Sequence, residues 1–144
     1  MIDQPALETL RLRLRALQTP DAANIQRAAS VRAVADTMIS LPHPYPAGEA
    51  ARYLARQQAE RERGLSVTYA LERKADAGFT GLIELRAIER EHSQAELSFW
   101  LAVEAWGRGY MTEAVAAVVA YAFEGLGLNR RRPDFAESTA SPVS

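Results

Sequence analysis

Along residues 9–17, Leu10, Leu12, Leu14 and Ala16 alternate with Arg11, Arg13 and Arg15. A strict period of two marks a half-buried strand, with the leucines inward and the arginines in solvent. The pattern changes at Thr19-Pro20-Asp21. There a hydroxyl cap, a proline at the first helical position and an acid near the positive dipole end start a helix that continues to about Ala35. Three prolines within residues 40–46 forbid regular structure and leave a rigid loop carrying His43 and Tyr45. An amphipathic surface helix follows over residues 47–63. Ala50, Tyr53 and Leu54 form its apolar stripe, and Gly64 suits the left-handed position after its last turn.

Residues 65–72, 79–88 and 95–101 are rich in β-forming residues and are separated by the polar turns 74–78 and 89–93. Such short links predict an antiparallel meander. In the third strand Leu97, Phe99 and Leu101 share one face, and Glu96, Ser98 and Trp100 the other. Residues 109–126 then repeat Met111, Ala114, Val115, Val118, Val119, Ala122 and Leu126 at helical spacing, with only Glu113 and Glu124 charged. That helix is expected to lie nearly buried on the sheet. The pattern ends at a basic, proline-broken stretch from Arg130 to Asp134, followed by small polar residues without period. The chain therefore divides into one domain over residues 1–129 and an irregular, disordered tail over residues 130–144.

Composition narrows the functional classes. The chain has 144 residues, 48% hydrophobic and 24% charged, which is ordinary for one globular domain. Its 17 basic and 18 acidic residues give a net charge of −1, which argues against a nucleic-acid or anionic-membrane partner. Without cysteine there is no disulfide, thiolate metal site or thiol nucleophile, a pattern that fits a reducing compartment. The two histidines, His43 and His92, cannot build a histidine-rich metal centre, so no metal is expected. The N-terminus lacks the basic head and apolar core of a signal peptide, and the longest apolar run, residues 114–123, is far too short to span a membrane. A cytoplasmic location is the expectation.

The chemistry concentrates at Glu104-Ala105-Trp106-Gly107-Arg108-Gly109-Tyr110-Met111-Thr112-Glu113-Ala114. A strand ends, two glycines follow one residue apart, and a long helix begins at once. Glycine admits close backbone approach and positive φ, and the first helical amides have no partners within the helix. Together with the positive dipole end and Arg108, they form an anion site suited to phosphate or pyrophosphate. Glycines that merely close a tight strand-to-helix turn would read the same way.

Residues 81–85 (GLIEL), 95–101 (AELSFWL) and 106–114 (WGRGYMTEA) resemble the GNAT superfamily of acetyltransferases, in particular the branch that acetylates N-terminal amino groups of ribosomal proteins. The resemblance extends over about residues 7–129. It implies an α/β fold of the α+β type, a mixed and mainly antiparallel sheet flanked by helices, and acetyl-CoA as co-substrate. The implied activity is acetyl transfer to a primary amine, such as a protein N-terminus, an antibiotic or a polyamine. It also implies that main-chain groups of Leu101 and Val103 pair with the pantetheine arm. Gly107, Arg108, Gly109, Tyr110, Met111 and Thr112 would then cradle the pyrophosphate. Glu96 is the first choice for the base that removes the amine proton, Glu84 is the second, and Ser98 could hold a water or the leaving thiol.

The resemblance stops at Arg130. Members of the family continue with a strand, a helix and usually two more strands, and in them the cofactor sits in the splay beside the strand 95–101. Pro133 stands where an alternating strand is expected, so the fold is read as truncated after the cofactor-binding helix. Half of the cofactor wedge would then be missing, and the strand 95–101 would be an open edge through which two copies could dimerise. The alternative to an enzyme is an incompetent remnant that binds CoA or a partner weakly.

Overall fold

The computed structural model describes residues 2–35, 44–127 and, for the backbone alone, 134–137. In chain order these form β1 (Leu7–Glu8), β2 (Leu12–Ala16), α1 (Asp21–Ala29), α2 (Arg32–Ala35), α3 (Glu49–Glu62), β3 (Val67–Arg73), β4 (Phe79–Glu89), β5 (Gln94–Leu101), α4 (Tyr110–Glu124) and β6 (Asp134–Glu137). Short 3₁₀ turns precede β5 and α4. The strands make one sheet in the order β1-β2-β3-β4-β5-β6. The first five are antiparallel neighbours, so the expected meander is present, and β6 joins β5 in parallel.

Helices cover both faces. On one side α4 crosses β1, β2, β4 and β5, burying Leu12, Leu14, Tyr69, Ile83, Leu97, Phe99 and Leu101 against Met111, Ala114 and Val118. On the other, Ile25, Ala28 and Ala29 of α1 and Ala50 of α3 pack on Ala70, Leu82 and Trp100. Double coverage explains why the polar-looking face of β5 is buried at Ser98 and Trp100, which are 3% and 5% exposed. Helix α4 itself is less enclosed than its composition suggests, because Thr112, Ala116 and Ala120 face out.

The leucine–arginine strand, β2, departs from its sequence pattern in two ways. It begins only at Leu12, because the Thr9 backbone N–H donates to the Leu12 carbonyl (2.9 Å) and folds the chain back on itself, leaving Leu10 86% exposed. Nor are all its arginines solvated. Arg15 makes a forked pair with Asp21 (2.8 and 2.9 Å) and bonds Glu72 at 2.9 Å, and Arg11 binds Glu113 of α4. The start of α1 differs as well. Pro20, not Thr19, sits at the cap, and the 2%-exposed Asp21 carboxylate accepts from the Gln18 backbone N–H at 2.8 Å. Gly64 takes the left-handed conformation expected of it, with φ 76°.

Residues 134–137, assigned from sequence to the irregular tail, form a strand instead. Pro133 stands one position before that strand in the sequence. The pairs are Gln94 with Asp134, Ala95 with Phe135, Glu96 with Ala136 and Leu97 with Glu137. The edge of β5 is therefore covered over half its length, which corrects the picture of a wholly open edge. The remaining tail residues, and His43 in the proline loop, lie outside the described residues. Tyr45 at the end of that loop is buried, and the Gln26 amide donates to the Tyr45 and Pro46 carbonyls (3.5 and 3.0 Å).

Candidate active site

The end of β5 is shaped by glycine and tryptophan. Gly107 and Gly109 both adopt left-handed φ, 76° and 78°, which a side chain would strain. Gly109 caps α4, and a Cβ there would lie 3.2 Å from the Arg11 guanidinium, which would have to give way by a few tenths of an ångström. The Trp106 indole packs between the two cores and donates to the Leu101 carbonyl at 3.0 Å, pinning the loop to the strand it leaves. Gly107, Arg108 and Thr112 are exposed, whereas Tyr110 and Met111 are buried. The first-turn amides of α4 thus open on a surface that carries the Arg108 cation, a geometry that accepts an anion.

Arg11 locks this end of the helix. Its Nε donates to Glu113, its backbone N–H donates to the same carboxylate at 3.1 Å, and its guanidinium lies 4.5 Å above the centre of the Tyr110 ring. The Thr9 hydroxyl adds a third donor to Glu113, at 2.6 Å. Partial burial pushes the Glu113 pKa up, but the bonds from Thr9 and Arg11 outweigh it and leave the carboxyl below its ordinary 4.5. Nothing in the pattern of residues 9–17 revealed this clamp, since its partners are about 100 residues apart in sequence.

The carbonyls expected to meet a pantetheine arm are partly engaged. The Leu101 carbonyl takes the Trp106 indole, and the Val103 carbonyl takes the Trp106 backbone N–H at 3.2 Å. Each carbonyl keeps a second lone pair. Leu101 is fully buried and Val103 is exposed.

The three candidate catalytic residues separate clearly. Glu96 pairs in register with Ala136 of β6, is half exposed, and lies 3.8 Å from Arg86. Glu84 and Ser98 are opposite each other across β4 and β5, and Thr68 of β3 is opposite Glu84 on its other side. This makes a polar row, Thr68–Glu84–Ser98, under helix α3. Tyr53 of α3 donates its hydroxyl to Glu84. Desolvation is the largest influence on Glu84 and raises its pKa above 4.5, although the Tyr53 bond and the more distant Arg86 and Arg56 oppose the shift. Tyr53 went unnoticed in the sequence because its spacing marks it as one apolar residue of an amphipathic helix.

The last β5–β6 pair is Leu97 with Glu137, so Ser98 is the first β5 residue beyond the described ladder. Residues 98–101 pair only with β4 among the described residues. A mainly antiparallel sheet with helices on both faces, and a glycine turn that leads from β5 into α4, define an α/β fold of the α+β type with a candidate anion site.

Sequence comparison agrees with the fold. The family model for the acetyltransferase (GNAT) domain matches residues 11–138, and the chain belongs to that family. The uncharacterized N-acetyltransferase YoaA of Bacillus subtilis is 31% identical over 71 residues, 49% of this chain and 39% of that protein. YdaF of the same organism, provisionally named a ribosomal N-acetyltransferase, is 38% identical over 55 residues, 38% of this chain and 30% of its own. These matches span well under half of either relative. Among solved structures, the ribosomal L7/L12 α-N-protein acetyltransferase RimL in complex with coenzyme A superposes with a TM-score of 0.76 at 17% identity, covering 92% of this chain and 73% of RimL.

Proposed function

We propose that the protein transfers an acetyl group from acetyl-CoA to a primary amine, with a protein N-terminal amino group as acceptor. The observation that carries this is the pair Glu84 and buried Ser98, opposite each other across β4 and β5, on the strand that leads into the glycine turn before α4. An acyl-pantetheine arm lying along residues 98–101 would bring its thioester to that pair. Its pyrophosphate would then rest on the glycine turn and the first amides of α4. The likeness to RimL supports the choice of acceptor, and a ribosomal-protein acceptor would place the reaction in the cytoplasm.

In this reading the amine nitrogen attacks the thioester carbonyl, the C–N bond forms, and the C–S bond breaks to release CoA thiolate. No covalent enzyme intermediate is needed. Glu84 takes the amine proton: it lies opposite Ser98 across the sheet, and its raised pKa makes it a better base than an ordinary exposed carboxylate. The Ser98 hydroxyl serves as a donor near the leaving sulfur or to an ordered water. Glu96, inside the zipped part of the ladder and beside Arg86, is the weaker choice. A homodimer formed through residues 98–101 would compete with this donor site, so monomers are the expected active form.

Calorimetric titration with acetyl-CoA tests the cofactor, and mass spectrometry of an acetyl-CoA reaction tests the acceptor. A peptide with a free N-terminal serine should gain one acetyl group, and its Nα-blocked, lysine-containing counterpart should gain none. Binding heat is expected at micromolar protein. Its absence at millimolar acetyl-CoA would establish the remnant reading instead.

A further inference from the structure

The end of the sheet that carries the glycine turn also carries a basic pocket. It has a volume of about 270 Å³ and is lined by Leu10, Arg11, Arg73, Lys74, Ala75 and Tyr110. Leu10 and Arg11 precede β2, Arg73 ends β3, Lys74 and Ala75 follow it, and Tyr110 is the first residue of α4. Segments distant in sequence thus bring three cations together, and no acid is among the described lining. Each cation pairs with an acid outside that lining: Arg11 with Glu113, Arg73 with Asp76 and Lys74 with Glu8. The Asp76 and Glu8 carboxylates are exposed, so solvent screens those two pairs and keeps them weak. The cations also have more N–H donors than their partners take. Arg73 gives Asp76 only its Nε and one Nη, and Lys74 meets a single Glu8 oxygen at 3.0 Å. A phosphate dianion, which offers oxygens to several such donors at once, can compete for them. Leu10 stands at the same pocket. Alternation assigns it to the core, but the turn from Thr9 to Leu12 leaves it 86% exposed. An exposed leucine beside three cations suits a ligand that joins an apolar base to a phosphate.

We infer that this pocket holds the adenosine 3′-phosphate end of acetyl-CoA, with Arg11, Arg73 and Lys74 around the phosphate and Leu10 against the base. The inference rests on the reading of acetyl-CoA as co-substrate with its pyrophosphate on the glycine turn. Tyr110 lines the pocket and directly follows Gly109 of that turn. One ribose carries both the pyrophosphate and the 3′-phosphate, so a cofactor seated on the turn keeps its second phosphate close by. Arg11 spans the two places. Its guanidinium would lie 3.2 Å from a Cβ on Gly109, and it sits 4.5 Å from the centre of the Tyr110 ring. The pocket then selects the 3′-phosphorylated cofactor over its dephospho form, a choice that thioester chemistry does not impose.

Calorimetric titration of the full chain with acetyl-CoA and with acetyl-3′-dephospho-CoA decides this. Wild type should bind acetyl-CoA at least about tenfold more tightly, the scale of a charge-assisted hydrogen bond. In Lys74→Glu that ratio should fall to about threefold or less, and Lys74→Arg should keep it. Leu10→Ser should weaken both cofactors by a similar factor, about threefold, and unchanged affinities remove the base contact. Equal binding of the two cofactors by wild type overturns the 3′-phosphate seat and leaves the acetyl-CoA reading standing. An unchanged ratio in Lys74→Glu overturns the placement of that phosphate in this pocket. Thermal melts confirm folding, and Arg73→Gln replaces Lys74→Glu should that variant fail to fold. A wild type that binds neither cofactor removes the acetyl-CoA reading and this inference with it.

Discussion

Glu84 and Ser98 face each other across β4 and β5, one residue beyond the last pair that joins β5 to β6. A desolvated carboxylate and a buried hydroxyl therefore meet on neighbouring strands, three residues before the end of β5. In the proposed reaction Glu84→Gln lowers kcat by about 100-fold or more, the scale of a positioned general base, and Glu96→Gln stays within about threefold of wild type. Stopped-flow or coupled detection of released CoA checks both. Equal losses in the two variants would remove the distinction drawn here.

The same carboxylate weakens the fold at neutral pH. Its folded pKa is raised above the ordinary 4.5, chiefly by desolvation. Between the two values the folded state holds a proton that the unfolded chain has released, so stability falls as pH rises through that window. Glu84→Gln keeps an acceptor for Tyr53 and has no charge to desolvate. It should melt higher than wild type at pH 7, with the gain vanishing by about pH 4. Calorimetric melts across that range test the sign.

Glu113 behaves in the opposite sense. Its pKa is depressed by the Thr9 and Arg11 bonds, so its contribution is present above pH 4.5 and lost as pH falls through the lower folded value. Arg11 is 40% exposed, and solvent screening keeps the expected cost of Glu113→Gln near 1 kcal/mol at pH 7. The loss should shrink toward zero in acid. Chemical denaturation at pH 7 and pH 3 measures it.

Asp21 is the least replaceable surface-like residue of the first helix. It is 2% exposed, accepts the Arg15 fork and receives the Gln18 N–H. Asp21→Ala strands the arginine and should cost about 3 kcal/mol, the scale of breaking a buried pair. Asp21→Asn, which keeps the acceptor, should cost less. Urea unfolding ranks the two.

Gly109 couples stability to ligand binding. A side chain there is strained at φ 78° and meets the Arg11 guanidinium. Gly109→Ala should cost about 1–2 kcal/mol of stability and weaken acetyl-CoA binding by more than about tenfold. Calorimetry of the folded variant separates the two effects, and unchanged affinity would show that the turn does not hold the pyrophosphate.

Much of this protein could be read along the chain. Alternation in the meander strands, helical spacing in residues 109–126, and the paired glycines before them are local signals. They depend only on neighbours two to four positions away, and they located the elements and the glycine turn before α4, while the motifs at residues 81–85, 95–101 and 106–114 carried the family resemblance. Both faces of β5 are buried because helices from distant segments cover them, so alternation could not tell its solvent side from its second core. Glu84 was legible as a candidate but ranked below Glu96. Depth and the partner Tyr53 favour it, and both arise from packing α3 on the sheet. Short-range pattern determined the elements and the turn. Only tertiary contact decided which carboxylate is desolvated opposite Ser98 and bonded by Tyr53, and that Arg11, a residue of an apparently solvated face, grips the start of α4.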